Sequence, residues 1–238
     1  MQIVILTGAG ISAESGLGTF RDVDGIWTKY PLEDLATPEG FAKNPEFVQG
    51  FYNARRSNGA NAEPNAAHRA LARLQAHAAQ LGGWVVVVTQ NIDDLHERGG
   101  SPEKMVLHMH GEINKSRCTA CEHVAPCSTD ITMQDVCSNC GSEGTLRPHV
   151  VWFGEMPFYL EEIEALLSDA DVFVSIGTSG EVYPAAGFVA YANRLRKHTV
   201  ELNLEPSSNA RDFREVLYGK ATEIVPQWVD DLIAKAGR

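Results

Sequence analysis

The chain has 238 residues, enough for one substantial core and a small satellite module, and its 44% hydrophobic and 21% charged residues are ordinary for a globular domain. A formal net charge of −11 argues against a nucleic-acid partner, because backbone phosphates are bound by clustered Lys and Arg. It is compatible with basic, lysine-containing substrates.

The first element is a strand from Ile3 to Thr7. The segment before it has no basic stretch, so no signal peptide is expected. Gly8-Ala9-Gly10-Ile11-Ser12-Ala13 follows and fits G-x-G-x-x-A, where glycines allow a tight turn and close approach of a pyrophosphate to backbone N–H groups. A dehydrogenase fails a spacing test. The dinucleotide fingerprint needs a second strand within a unit of roughly 30 residues and an acid about 20 residues on. Here the next clear strand begins near Trp84, and Gly16 to Asp22 instead carries an aromatic and a cation, Phe20 and Arg21. A nucleotide bound in an atypical way is the expectation.

Residues 25–80 hold helical signals and no convincing strand. Thr37-Pro38 and Asn44-Pro45 each read as an N-cap with proline at the first helical position. Ala67, Leu71, Leu74, Ala78 and Leu81 form one face of a helix. Further strands are expected at Trp84 to Gln90, Met105 to His110, His149 to Phe153, Val172 to Ile176 and Thr199 to Leu202, several nearly continuous in Val and Ile, as in a parallel sheet buried on both faces. Gly99 and Gly219 stand where helix ends are expected. The alternation predicts an α/β doubly wound, mainly parallel (Rossmann-like) sheet. Its domain would comprise residues 1–24, 81–112 and 147–238, with a smaller lobe made of a helical insert, 25–80, and a zinc-binding insert, 113–146.

Within that second insert, Cys118-x2-Cys121 and Cys137-x2-Cys140 are separated by 15 residues, inside the spacing of paired zinc-binding turns. Four thiolates complete a tetrahedral shell with no open position, so the zinc would be structural. His123 and Cys127 lie between the pairs and read as bystanders. Acidic residues outnumber basic ones over 113–146, the wrong balance for a nucleic-acid-binding ribbon. Cysteines in CxxC pairs suit a reducing compartment, and no apolar run approaches the roughly 20 residues that span a bilayer, so a cytoplasmic protein with no membrane partner is expected.

Polar or glycine-rich clusters close four of the strands: Gln90-Asn91-Ile92-Asp93, His108-Met109-His110-Gly111, Gly177-Thr178-Ser179 and Asn203-Leu204-Glu205. One alone would read as a cap or a turn. Their recurrence at strand carboxyl ends, where open α/β sheets bind ligands, points to a site. A strand-end histidine beside glycine, His110, suits a general base.

Taken in order, Gly8 to Ser12, Thr19 to Asp22, Thr89 to Asp93, His110-Gly111-Glu112, Phe153-Gly154-Glu155, Gly177-Thr178-Ser179 and Asn203-Leu204, with the paired CxxC, resemble the sirtuin family, most of all its bacterial CobB-type members. The resemblance implies an NAD-dependent protein-lysine deacylase. In that chemistry the acyl oxygen attacks C1′ of the nicotinamide ribose, nicotinamide leaves, and 2′-O-acyl-ADP-ribose is formed. His110 would be the base on the ribose hydroxyls, with Asn91 and Asp93 positioning the ribose and the nicotinamide amide. Gly8, Ala9, Gly10, Ser12, Phe20, Arg21 and Gln90 would surround that half of NAD. Gly177, Thr178, Ser179, Asn203, Leu204 and Ala221 would hold the adenosine half. Val151 to Glu155 and Gly180 to Tyr183 would flank an acyl-lysine peptide as a strand between the lobes, through Val151, Phe153, Gly154, Gly180 and Val182. Gly18 departs from the proline of many members. Partners would be acyl-lysine proteins or peptides, with the chain a monomer. A mono-ADP-ribosyltransferase on the same scaffold is the chemically closest alternative.

In the first insert Tyr52 and Arg55 are three apart and share a helix face. A phenol and a guanidinium together suit a carboxylate. The Tyr-x-x-Arg pattern resembles the sirtuin subgroup that recognises succinyl and malonyl lysine, so a desuccinylase and demalonylase as well as a deacetylase is expected.

Overall fold

The computed structural model describes residues 1–18 and 31–236. In chain order the elements used below are β1 (Gln2–Thr7), α1 (Leu32–Leu35), α2 (Pro38–Lys43), α3 (Pro45–Asn61), α4 (Ala66–Gln80), β2 (Trp84–Thr89), α5 (Leu95–Arg98), β3 (Val106–His108), β4 (Gly111–Cys118), β5 (Val124–Pro126), β6 (Leu146–Val150), α6 (Leu160–Asp169), β7 (Val172–Ile176), α7 (Phe188–Arg194), β8 (His198–Asn203), β9 (Glu215–Tyr218) and α8 (Ala221–Ala236).

Six strands form one parallel sheet in the order β3-β2-β1-β7-β8-β9. Val and Ile run through its centre because both faces are covered. Ile3 and Ile5 of β1 lie with Val85, Val87, Val174 and Val200 under Leu71 and Leu74 of α4 and Val225 and Val229 of α8. Val4 and Leu6, one residue out of phase, lie with Val86, Val88 and Phe173 under Ile163 and Leu167 of α6 and Phe188 and Val189 of α7. The period of two along each strand thus serves two cores.

A smaller lobe combines α1, α2 and α3 with an antiparallel sheet ordered β5-β4-β6. Its core joins Leu35, Val48, Phe51 and Tyr52 to Ile113, Val150 and Trp152. Thr37 and Asn44 cap α2 and α3 as expected, accepting from the Gly40 and Phe47 N–H groups at 3.0 and 3.2 Å with Pro38 and Pro45 at the first helical position.

Several sequence expectations shift. The helix of Ala67, Leu71, Leu74 and Ala78 forms, but it packs on the large sheet, so residues 25–80 do not travel together as one insert. Amphipathicity states that a helix has a buried face and is silent about which sheet covers it. Leu81 lies past the helix end and is 54% exposed. The run expected at 149–153 pairs as 146–150 in the small antiparallel sheet, outside the parallel one. Gly219 links β9 to α8 instead of ending a helix. β4 and β9 were not foreseen: one is polar and the other is an edge strand with mostly exposed residues.

Candidate active site and zinc site

The sheet winds outward in both directions from the β1–β7 boundary, which makes that boundary the switch point. The loops after these two strands interlock. Gly8 N–H donates to Ile176 O at 3.0 Å and Gly10 N–H to Gly177 O at 2.9 Å. A Cβ on Gly10 would stand 2.7 Å from the Gly177 Cα, and one on Gly177, whose φ is +62°, 2.5 Å from the Ile11 nitrogen. These glycines therefore let two loops touch, a demand separate from any ligand. Gly177 N–H reaches Leu202 O at 3.0 Å, and Asn203 Nδ2 donates to Thr178 O at 2.8 Å. Thr178, Ser179, Asn203 and the exposed Leu204 thus meet at the ends of β7 and β8. Ala221 opens α8, whose next residue, Thr222, is held by both oxygens of Glu14.

On the other side of β1, β2 and β3 deliver the polar group. Gln90 N–H donates to Thr7 O at 2.9 Å. Asn91 Nδ2 donates to Gly8 O at 3.1 Å and to Ser12 Oγ at 3.2 Å, and Ser12 Oγ donates to Asp93 Oδ2 at 3.1 Å. Asp93 Oδ1 accepts from Leu95 N–H. Burial raises the Asp93 pKa, opposed by its Leu95 and Ser12 hydrogen bonds. His110 stands in the turn two residues past the end of β3, with Nδ1 3.1 Å from Gln90 O. A carbonyl only accepts, so Nδ1 carries the hydrogen and Nε2 of the neutral ring keeps a lone pair. Burial lowers the His110 pKa, and the Gln90 bond opposes it.

A second polar layer, which sequence reasoning missed, lies behind this one. His68 and His96 are fully buried, their rings 5.0 Å apart. His68 Nε2 is 3.5 Å from Ser12 Oγ, and its Nδ1 accepts from Asn65 N–H. His96 Nε2 is 3.0 Å from Thr7 Oγ1. Burial drops the His68 pKa to about 4, and burial with His68 beside it holds His96 well below the ordinary value. Asn65 Nδ2 also donates to Ile11 O at 2.8 Å, tying the start of α4 to the glycine turn. For His68 the signal was a histidine in an alanine-rich helix, which spacing does not distinguish from packing.

The stretch after β6 alternates. Trp152 is buried while Phe153 is 49% exposed. The Val151 and Phe153 N–H groups already donate to His110 O and Ala36 O. Gly180 has φ +71° and Val182 is 37% exposed. Phe20 and Arg21 lie outside the described residues.

Tyr52 and Arg55 lie on α3 beside this stretch. Tyr52 is 4% exposed, and its hydroxyl accepts from Trp152 Nε1–H at 2.9 Å. Burial pushes its pKa up to about 12 despite that bond. Burial lowers the Arg55 pKa, while charge interactions with Tyr52 and Asp93 raise it, which places the guanidinium within electrostatic reach of both.

Cys118, Cys121, Cys137 and Cys140 converge, their sulfurs all within 4.8 Å of one another. Cys118 and Cys140 are 3.7 Å apart, and Cys121 and Cys137 3.8 Å. A tetrahedron of Zn–S bonds near 2.3 Å has edges of about 3.8 Å, so the donor set fits zinc. The two turns repeat one geometry. Glu122 and Gly141, both at positive φ, donate N–H to Cys118 O and Cys137 O, and the Cys118 and Cys137 N–H groups reach His123 O and Ser142 O. His123 thus serves through its backbone, and the Cys127 thiol bonds to Thr129 O.

Residues 8–184 match the model of the Sir2 family. The chain belongs to the Sir2 family. It is 57% identical over 235 residues to an NAD-dependent protein deacylase of Caulobacter vibrioides, covering 99% of this chain and 98% of that one. Over 240 residues it is 54% identical to the NAD-dependent protein deacylase of Escherichia coli strain K12, covering 99% of this chain and 84% of the relative. Among solved structures, a Sir2 homologue in complex with NAD superposes with a TM-score of 0.87 at 39% identity, covering 99% of this chain and 90% of that one. A Sir2 mutant with a deacetylated p53 peptide and 3′-O-acetyl ADP ribose gives 0.80 at 29% identity, covering 97% and 93%. The sirtuin resemblance drawn from the motifs is thereby established for the chain.

Proposed function

We infer that this sirtuin is an NAD-dependent protein-lysine deacylase, releasing nicotinamide and 2′-O-acyl-ADP-ribose. The observation that carries the reading is the His110 ring, fixed through Nδ1 on Gln90 O with Nε2 left basic, where Gln90 opens the cluster after β2 whose Asn91 and Asp93 are locked by Gly8 and Ser12. When bound, NAD supplies an electrophilic sugar carbon and a nicotinamide leaving group. Asn91 and Asp93, locked by Ser12 and Gly8, orient the ribose and the amide. His110 Nε2 takes a proton from a ribose hydroxyl, so that the acyl group can move onto the sugar. Gly177 to Ser179, Asn203, Leu204 and Ala221 hold the adenosine half, and Val151 to Glu155 with Gly180 to Tyr183 flank the acyl-lysine peptide. Zinc bound by the four cysteines is structural, because four sulfurs fill its shell. Residues 31–61 and 111–150 form the small lobe, with the remainder carrying the cofactor.

Tyr52 and Arg55 receive negatively charged acyl chains, succinyl and malonyl, alongside acetyl. A neutral phenol and a guanidinium near Asp93 are complementary to a carboxylate at the end of the acyl chain. The net charge supports a protein partner over a nucleic acid, the cysteine chemistry supports a reducing cytoplasm, and the chain acts as a monomer. No described helix is long and apolar enough to cross a membrane.

The test is nicotinamide release with acetyl-, succinyl- and malonyl-lysine peptides, for wild type and Arg55→Met. The expected result is release with all three peptides and a selective loss on the acidic ones in the mutant. Equal loss on all would reject the acidic pocket. Label from NAD retained on the protein would favour ADP-ribosyl transfer.

A further inference from the structure

Behind Tyr52 stands a chain of directional contacts. Trp152, 2% exposed, donates Nε1–H to the Tyr52 hydroxyl at 2.9 Å. Its backbone N–H donates to Glu155 Oε2 at 2.8 Å. Glu155 in turn accepts two bonds from Arg147, at 2.6 Å from Nη1 and 3.0 Å from Nη2. Arg147, 6% exposed, also donates to Val150 O at 2.8 Å, and its Cζ lies 3.4 Å from the centre of the Trp152 ring. The Phe41 ring also packs near the indole, its centre 5.2 Å from that of Trp152. The indole is gripped at its backbone and on its ring before it reaches the phenol.

The consequence lies in the donor inventory. An indole N–H only donates, so the Tyr52 oxygen must accept from it. The single phenolic hydrogen is therefore turned away from Trp152 and is not consumed by it. Had the neighbour been an acceptor, that hydrogen would have been consumed internally and the pocket would present a lone pair. We propose that Trp152, Glu155 and Arg147 are positioning residues for acyl-chain selectivity: they aim the Tyr52 O–H as a fixed donor at an acyl carboxylate. This rests on the reading of Tyr52 and Arg55 as the acidic-acyl pocket and extends it to residues on the far side of Tyr52. A plainly structural account is that Tyr52 satisfies the buried indole N–H, and the two accounts differ in what the substrate feels.

The experiment uses the full-length, zinc-loaded protein at saturating NAD. It measures kcat and KM on succinyl- and acetyl-lysine versions of one peptide, for wild type, Trp152→Phe, Tyr52→Phe and the double variant. Trp152→Phe keeps an aromatic ring and removes the N–H. The expected result is a fall in the succinyl-to-acetyl ratio of kcat/KM on the order of tenfold, the size of one hydrogen bond to a charged group. It should appear mainly in the succinyl-peptide KM, with no further fall when Trp152→Phe is added to Tyr52→Phe. An unchanged ratio overturns the proposal, as does an equal fall in the Tyr52→Phe background, since Trp152 would then act without Tyr52. If Trp152→Phe lowers the melting temperature too far to assay, Glu155→Gln replaces it, with the same fall and the same non-additivity required. Arg55→Met separates the two levels. If it leaves the ratio unchanged, the acidic-pocket reading fails. If it lowers the ratio while Trp152→Phe does not, only the positioning role fails.

Discussion

At the scale of single residues, the chemistry turns on which atoms of a side chain are already engaged. In the proposed reaction His110 acts as a base because a carbonyl fixes its tautomer, and Asn91 orients the ribose because its amide is pinned by Gly8 O and Ser12 Oγ. Replacing His110 with Ala should lower kcat by a factor of about 10² to 10⁴, the usual contribution of a general base, while NAD still binds. The pH profile has a definite sign. Only neutral imidazole can accept a proton, and burial lowers the His110 pKa, so activity persists as pH falls to the ordinary histidine value and is lost below it. The acidic limb of kcat/KM should therefore lie below pH ~6.5; a limb centred above that value would contradict the assignment. Sequence spacing singled out His110, Asn91 and Asp93 as candidates, since strand-end polar clusters are visible in one dimension. It could not reveal that Ser12 joins Asn91 to Asp93, or that His68 and His96 lie behind Ser12, because those contacts link positions 50 or more apart in the chain.

At the scale of elements, α3 binds the two inserts together. Gln49, Asn53 and Arg56 lie on one stripe of the helix. Gln49 Nε2 donates to Leu146 O at 2.6 Å and Arg56 Nε to Ile113 O at 2.9 Å. Asn53 pairs both ways with the backbone of Ile131, each bond 2.9 Å. Tyr52 and Arg55, the neighbouring positions on the same helix, are the residues proposed to receive the acyl chain. Truncating Asn53 to Ala strands an N–H and a carbonyl of Ile131, and should destabilise the fold by about 1–3 kcal/mol. A urea unfolding curve with an unchanged midpoint would refute that. The helix, its asparagine cap and its proline were legible in the sequence. Its polar stripe was not, because Gln, Asn and Arg at helical spacing read equally well as a solvated face.

At the scale of the whole molecule, two sheets meet near His110. β4 begins at Gly111, immediately after the proposed base, and ends at Cys118, the first zinc ligand. Removing zinc should therefore loosen the far end of this ladder first. With chelator, hydrogen exchange should speed up at the amides of Cys118, Glu122, Cys137 and Gly141, while amides of β1, β2, β7 and β8 stay protected. Loss of protection throughout the large sheet would show instead that the metal holds the entire fold. Local sequence determined five of the six strands of the parallel sheet, the capped helices, the two CxxC turns and the strand-end polar residues, because each depends on neighbours within a few positions. The tertiary structure alone decided that α4 covers the large sheet, that residues 146–150 join the antiparallel one, and that Gly8 and Gly10 are needed for contact with Gly177. It also placed Arg147 and Glu155 behind Tyr52. Those outcomes depend on which buried surfaces meet, and periodicity along one segment carries no information about its partner.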